Sequence, residues 1–179
     1  MIFERPGPAN TAQTIDIALQ AAKAHGIRHI VVASNTGETA LLLADADAHI
    51  TVVTHVQGFV KPGENELSAD MRASLQAKGM DVLTTSHALS GVERGISRSH
   101  GGMYPAELIA HTLRMLGQGT KVCVEIAVMA LDAGLIPHGE VILAIGGSGR
   151  GADTAALLTP AHAQAILDTR VHEILCKPR

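Results

Sequence analysis

Aromatic side chains are almost absent from this sequence of 179 residues, which contains no tryptophan, one tyrosine and two phenylalanines. Proteins that bind single-stranded nucleic acid stack bases on aromatic side chains, and no cluster of lysine and arginine forms a basic surface here. With a formal net charge of −3, the chain is not expected to bind nucleic acid. Its core must be built from aliphatic side chains, as in a parallel sheet covered by helices.

Long hydrophobic runs are also missing. No segment approaches the roughly 20 apolar residues of a membrane-spanning helix, and residues 1–6 lack the basic start and apolar region of a signal peptide. Cys123 and Cys176, the only cysteines, are far apart in apolar surroundings, where reduced thiols are expected rather than a disulfide. We therefore expect a cytoplasmic protein with no membrane partner, folded as a single domain over residues 1–179.

Strand-like and helix-forming segments alternate along the chain. The β-branched and apolar runs predict strands at 28–33, 49–54, 80–84, 141–145 and 171–177. Helix formers and stop signals predict helices at 14–25, 38–46, 68–78, 105–116, 121–133 and 160–168. Residues 91–98 are predicted to form at most two helical turns. The sequence of residues 155–158 does not decide their secondary structure. The alternation predicts an α/β fold, a three-layer α/β/α sandwich with a mostly parallel sheet.

A glycine-rich loop follows the strand at 141–145. Four glycines, a serine, an arginine and an aspartate lie within residues 146–153. Glycine clustered where a strand ends indicates close approach to the backbone, and exposed N–H groups there can form a nest for an anion. A tight turn is the alternative, but it needs only one or two glycines. The predicted ligand contacts in this loop are Gly146, Gly147, Ser148, Gly149, Arg150 and Asp153.

The strand at 28–33 ends in a second loop of this kind, rich in hydroxyl groups. Capping of the following helix is the alternative explanation, but one capping residue suffices and the loop offers four polar residues within six positions. In a parallel sheet with right-handed crossovers, the loops after the strands emerge at one edge. Both loops therefore predict one phosphate-bearing ligand at the carboxyl edge of the sheet. The contacts predicted here are Ser34, Asn35, Thr36 and Thr39.

The loops after the next two strands add further polar groups to the same edge. His55 and Phe59 follow the second strand, and His87, Ser90 and Arg94 follow the third. Imidazole exchanges protons near neutral pH, so the two histidines are candidate acid/base groups, although purely structural histidines fit equally well. No metal site is predicted, because HxH and HExxH spacings are absent. Arginine binds phosphate through its planar donor fork, which makes Arg94 and Arg150 candidate phosphate ligands.

Several stretches spread over nearly the whole chain carry a family resemblance. They are VVASNTGETA (31–40), VTHVQGFVKPGENE (53–66), TSHALSGVERGIS (85–97), VEIAVMALDAGLIP (124–137), AIGGSGRGADTA (144–155) and KPR (177–179). With them the chain resembles stand-alone proteins related to the C-terminal alpha/beta domain of pyruvate kinase. The match to pyruvate kinase itself rests on the strand and loop that end in NTGETA (35–40). In the kinases the equivalent loop holds a phosphate of a sugar-bisphosphate effector.

This resemblance implies a pyruvate kinase C-terminal domain-like fold and a phosphate held against Ser34, Thr36, Gly37 and Thr39. Stand-alone relatives are associated with bound flavin mononucleotide (FMN), with no assigned activity, so FMN is the expected cofactor. Pyruvate kinase activity is not expected, because the barrel that carries catalysis in the kinases is not part of this sequence.

Functions from different classes remain open at this stage. The protein is either a binding module for a phosphorylated small molecule, with FMN expected, or an enzyme that acts on a phosphorylated metabolite. In the enzyme, His55 and His87 would exchange protons, and Arg94 or Arg150 would stabilise negative charge. A third function, effector sensing without catalysis, would need a partner chain. The mean hydropathy of +0.21 is compatible with a homo-oligomer.

Overall fold

The computed structural model describes all 179 residues, and seven strands form one sheet in the order β1-β7-β6-β5-β2-β3-β4. The strands are β1 Ile2–Phe3, β2 His29–Ala33, β3 His49–Val53, β4 Asp81–Leu83, β5 Ile142–Gly146, β6 Thr154–Thr159 and β7 Arg170–Pro178. Four of the six strand pairings are parallel, namely those of β1 with β7, β2 with β3, β2 with β5, and β3 with β4. The predicted α/β fold with a mostly parallel sheet is thus confirmed.

Six α-helices connect and cover the strands: α1 Thr11–His25, α2 Glu38–Leu41, α3 Ala69–Ala77, α4 Gly91–His100, α5 Pro105–Arg114 and α6 Gln118–Asp132. Local sequence signals account for several of their ends. Ser68 caps α3, where its hydroxyl accepts from the Met71 N–H at 3.2 Å. Pro105 opens α5, where its missing N–H costs nothing. None of these helices combines the length and apolar composition needed to span a membrane.

The strands bury both of their faces, which produces the three layers. On β2, Ile30 and Val32 belong to the hydrophobic cluster packed beside α1, whereas Val31 belongs to the cluster packed beside α6. On β5, Leu143 and Ile145 belong to the first cluster, and Ile142 and Ala144 belong to the second. Successive side chains of a strand point to opposite faces of the sheet, so each strand contributes to two cores. An aliphatic sequence without aromatic residues is sufficient for this arrangement.

The order of the strands creates a switch point between β2 and β5. From β2 the chain proceeds outward through β3 to β4, and it then returns to place β5 on the other side of β2. After β2 the chain continues toward β3 on one side of the sheet, and after β5 it continues toward β6 on the other side. A crevice opens between two such strands at their carboxyl ends, and ligands of open α/β sheets bind there.

Three parts of the chain differ from the predictions. The ambiguous residues 155–158 lie in β6, which runs antiparallel to both of its neighbours because the chain turns back after β5. The predicted helix at 160–168 is wrong: residues 163–168 form a 3-10 segment with a kink at Ala165, whose φ of −127° is not helical. The Asp132 carboxylate holds the start of this segment by accepting from the Ala163 N–H at 3.2 Å. The short strand β1 was not predicted.

The helices differ from their predicted bounds by a few residues. Helix α2 ends at Leu41 rather than at residue 46, and α4 continues to His100 rather than stopping at residue 98. The prediction that residues 121–133 form a buried helix is confirmed by α6, which begins three residues earlier, at Gln118.

Candidate ligand-binding cleft

A cleft of about 1160 Å³ lies at the carboxyl edge of the sheet, over the switch point between β2 and β5. The loops that follow β2, β3, β4 and β5 all contribute to it, and helices α4 and α6 form two of its walls. This volume suits a ligand the size of a nucleotide. The convergence predicted for the two polar loops is therefore present, because residues of both loops line the same cleft.

Most of the predicted site residues line this cleft, and four do not. Those that line it are Ser34, Asn35, Thr36, Thr39, His55, Phe59, His87, Ser90, Arg94, Gly147, Gly149 and Arg150. Gly37, Gly146, Ser148 and Asp153 are not among the lining residues.

In the loop after β2, two of the predicted residues serve the fold. The buried Ser34 hydroxyl accepts from the Ala40 N–H at 3.4 Å in the first turn of α2, although the N-cap residue of this helix is Gly37. Gly37 has φ of +91°, and a Cβ at this position would overlap the Met71 side chain, with Sδ at 2.9 Å. Asn35, Thr36 and Thr39 are the residues of the loop whose side chains remain to face a ligand.

In the loop after β5, Asp153 is a structural residue. Its side chain is completely buried, and its carboxylate accepts from the Gly7 N–H at 3.0 Å, the Ser148 N–H at 3.1 Å and the Thr154 hydroxyl at 2.8 Å. These bonds tie the loop to the N-terminal segment and to β6. The Asp153 carboxylate and the Ser148 amide are thus engaged within the protein, and ligand contact by these two residues stays a prediction.

Close packing explains part of the glycine content of this loop. A Cβ on Gly151, whose φ is +70°, would lie 2.7 Å from the Cα of Pro8. The nearby Ala152 N–H donates to the Thr11 hydroxyl at 3.0 Å. The N-terminal segment thus packs against the loop, and Pro8 and Thr11 line the cleft beside the loop residues Gly147, Gly149, Arg150 and Gly151.

The two candidate histidines lie close together on the β3–β4 side of the cleft, with ring centroids 5.7 Å apart. His55 Nδ1 pairs with the Glu66 carboxylate, and the ring of His55 stacks on Phe59 with centroids 3.8 Å apart. His87 Nε2 accepts from the Val56 N–H at 3.4 Å. Burial lowers the pKa of His87, an effect that the nearby Glu125 carboxylate opposes and that His55 and Lys121 reinforce. His87 is therefore a neutral imidazole near pH 7.

Helix α6 brings two charged residues to the cleft that the sequence prediction missed. Lys121 and Glu125 lie one turn apart, both line the cleft, and both are buried, with 5% and 4% exposure. The Lys121 ammonium donates to one Glu125 oxygen, and the other oxygen accepts from the Leu89 N–H at 2.9 Å. Burial lowers the pKa of Lys121, although Glu125 counteracts this. A lysine and a glutamate four residues apart in an otherwise apolar helix were the available signal.

The cleft also carries arginines that have no carboxylate partner. Arg94 and Arg98 come from α4, Arg114 from the end of α5, and Arg150 from the loop after β5. None of them takes part in the six ion pairs of the protein. Of the three carboxylates that line the cleft, Glu66 and Glu125 are paired and only Glu38 is not, so the unpaired arginines outnumber the unpaired carboxylates. The surplus of unpaired cations makes the cleft suitable for an anion.

Comparison with known proteins agrees with this fold. The family model described as "Pyruvate kinase, alpha/beta domain" matches residues 12–158, which is most of the chain. Among solved structures, pyruvate kinase of Cryptosporidium parvum in complex with ADP is similar, with 16% sequence identity and a TM-score of 0.40. That alignment covers 87% of this chain and 24% of the kinase, so the chain spans about a quarter of that protein's length. The match to the family model shows that this chain belongs to the pyruvate kinase alpha/beta domain family.

Proposed function

We propose that this protein binds a phosphate-bearing small molecule in the cleft at the switch point, and that FMN is this ligand. The observation that carries the proposal is the meeting of two strand-end loops on one cleft: Asn35, Thr36 and Thr39 line it from the β2 side, and Gly147 and Gly149 from the β5 side. Hydroxyl groups and loop amides are the donors that an oxyanion accepts from.

The charges of the cleft favour an anionic ligand. Arg150 lies beside the glycines of the β5 loop, and Arg94 and Arg98 extend from α4 along the same cleft. Guanidinium groups without a carboxylate partner bind phosphate through paired hydrogen bonds, which are stronger than those between neutral groups. The phosphate is expected between the β2 and β5 loops, where donors from both sides can reach it.

The remainder of the cleft fits a flat ring system. Val122, Ile126 and Met129 of α6 form an apolar strip along one wall, and the Phe59 ring stacked on His55 stands on another side. A planar heteroaromatic ring gains from contact with aromatic and large aliphatic side chains. The residues present thus fit FMN, with the ribityl phosphate toward the strand ends and the ring toward the apolar strip.

Flavin fluorescence tests this proposal, because riboflavin differs from FMN only by the missing phosphate. We expect FMN to bind at least about tenfold more tightly than riboflavin, a difference of ~1.4 kcal/mol or more. Thr36→Val removes one hydroxyl donor from the phosphate and should weaken FMN binding by roughly 10- to 100-fold, as for a hydrogen bond to a charged group, without changing riboflavin binding.

Thr85→Val is the matched control, since Thr85 is exposed at the same edge of the sheet but does not line the cleft. It should leave both affinities unchanged. Equal affinities of the wild-type protein for FMN and riboflavin would remove the phosphate site from the account.

A second candidate function, an enzyme acting on a phosphorylated metabolite, is favoured by the pair of His55 and Glu66. A carboxylate on Nδ1 fixes the imidazole tautomer and leaves Nε2 to exchange a proton with a substrate. A panel of sugar phosphates and triose phosphates assayed for turnover tests this role. Any activity found should fall by about 100-fold or more in the His55→Ala/His87→Ala double variant. Full turnover in that variant would contradict the assignment.

A further inference from the structure

Lys121 has a position in this protein that its role in folding does not explain. It is the only one of the five lysines that lines the cleft, and its side chain is 6% exposed. Twelve of the fifteen residues of α6 are buried. A buried ion pair in such a helix contributes little net stability compared with apolar side chains of similar size, because both charges lose their hydration. Stability therefore does not explain why Lys121 and Glu125 are buried beside the cleft, and a chemical role is the alternative.

The surroundings of Lys121 make its ammonium group easier to deprotonate than that of an exposed lysine. Glu125 on α6 stabilises the ammonium form through its ion pair, whereas Arg94 of α4 and Arg114 of α5 disfavour that form, and His87 lies near the same carboxylate. Burial is the largest influence and lowers the Lys121 pKa. A neutral amine in a cleft is a nucleophile toward carbonyl carbon.

We propose that Lys121 forms an imine with the carbonyl group of a phosphorylated aldehyde or ketone whose phosphate is bound by the β2 and β5 loops. This inference rests on the proposed phosphate site and names a class of reactive ligand for it. The Leu89 N–H holds the Glu125 carboxylate in place next to Nζ, so the proton acceptor is oriented before a ligand arrives.

The step balances without an oxidant or a reductant. Nζ of the neutral amine bonds to the carbonyl carbon, and one of its protons passes through the Glu125 carboxylate to the carbonyl oxygen. The second proton follows the same route, the carbon–oxygen bond breaks, and water leaves. A carbon–nitrogen double bond remains, so one amine and one carbonyl compound give one imine and one water.

Pyridoxal 5′-phosphate is a suitable probe, because it carries both an aldehyde and a phosphate. The wild-type protein is incubated with the probe, reduced with borohydride and mapped by peptide mass spectrometry. Lys121 should be the dominant modified residue despite its burial, and FMN should protect it. Unphosphorylated pyridoxal should need about tenfold or more higher concentration, since the phosphate holds the aldehyde near the amine. The four exposed or half-buried lysines, Lys23, Lys61, Lys78 and Lys177, are internal controls.

Lys121→Arg keeps the positive charge beside Glu125 but removes the nucleophile, so this variant should lose the visible absorption of the pyridoxal phosphate imine. The map of the wild-type protein needs no variant, so the proposal stays testable if Lys121→Arg fails to fold. Labelling confined to the other four lysines, in a protein that still prefers FMN to riboflavin, would overturn this inference and leave the proposed function standing. Equal labelling of Lys121 by pyridoxal and its phosphate would overturn both the ligand class and the phosphate site.

Discussion

At the scale of single residues, the polar loops after β2 and β5 each contain residues that pack within the protein and residues that line the cleft. Ser34 and Asp153 have their side chains committed to backbone amides of the protein itself. Their neighbours Thr36 and Arg150 face the cleft. The packing residues hold the loops in a shape that presents the others, so a substitution at either kind of position should affect binding for a different reason.

Gly37→Ala tests the packing part of this division. The left-handed backbone at Gly37 costs an alanine ~1 kcal/mol, and overlap with Met71 adds about 1–3 kcal/mol. We expect the free energy of unfolding, measured in urea, to fall by about 2–4 kcal/mol. In a Met71→Ala background the overlap is relieved, and the added cost should shrink to ~1 kcal/mol.

Gly79→Ala is the control for the backbone term alone. Gly79 has φ of +79°, and a Cβ there would meet no atom within 4 Å. It should lose only ~1 kcal/mol. If Gly37→Ala and Gly79→Ala were equally destabilising, the contact with Met71 would not constrain the loop.

The sequence predicted most of the residues of the site but not their orientation. The packing role of Asp153 was not predicted, because one of its partners, the Gly7 amide, lies 146 positions away in the chain, which no local pattern reveals. Lys121 was missed for a related reason. The apolar character of α6 indicates a buried helix, and only the tertiary fold shows that one turn of this helix borders the cleft.

At the scale of elements, α4 is the part of the cleft wall least anchored in the core. None of its ten residues is buried. Its attachment is polar and made to α5: the Glu93 carboxylate accepts from the Ala106 N–H at 2.8 Å, and the Ser97 hydroxyl donates to Glu107 at 2.8 Å. Arg94 follows Glu93 and Arg98 follows Ser97 in the chain, and both arginines line the cleft. Helix α4 thus places two cations over the ligand through a few hydrogen bonds to its neighbour.

Glu93→Ala should loosen α4 without unfolding the sheet. The substitution leaves free N–H groups at the start of α5 and removes a negative charge from that helix end. We expect amide hydrogen exchange in α4 and in the first turn of α5 to become about tenfold faster, equivalent to ~1.4 kcal/mol, with no change in β2 or β5.

Glu64→Ala provides a charge-matched control, because Glu64 forms an exposed ion pair with Lys61, and such pairs contribute little. Unchanged exchange in α4 of the Glu93→Ala variant would show that this helix is held by something other than the Glu93 contact.

The elements that the sequence misjudged are those whose partners are distant. Residues 154–159 show no alternation because β6 is buried on both faces, by the two hydrophobic clusters beside α1 and α6. A continuous apolar run does not distinguish a strand from a buried helix. Helix α4 contains two glycines and few apolar residues, so its own sequence predicts only a turn or two. Its contacts with α5 supply the missing stability.

At the scale of the whole molecule, the site is a consequence of strand order. The chain of this pyruvate kinase alpha/beta domain leaves β2 toward one side and reaches β5 on the other, which opens a crevice between the ends of these strands. The two polar loops and the arginines converge on that crevice, and the long connection between β3 and α3 completes its other side. The antiparallel strands β6 and β7 extend the sheet on the far side of β5, and β1 forms the edge next to β7.

The central claim is that one phosphate lies between the β2 and β5 loops, and amide NMR during a titration with FMN tests it most directly. The amide resonances of residues 34–39 and 147–151 should shift together and saturate with one dissociation constant. The same amides should shift far less when riboflavin is added to the same concentration. Shifts confined to one of the two loops, or equal shifts with riboflavin, would contradict the claim.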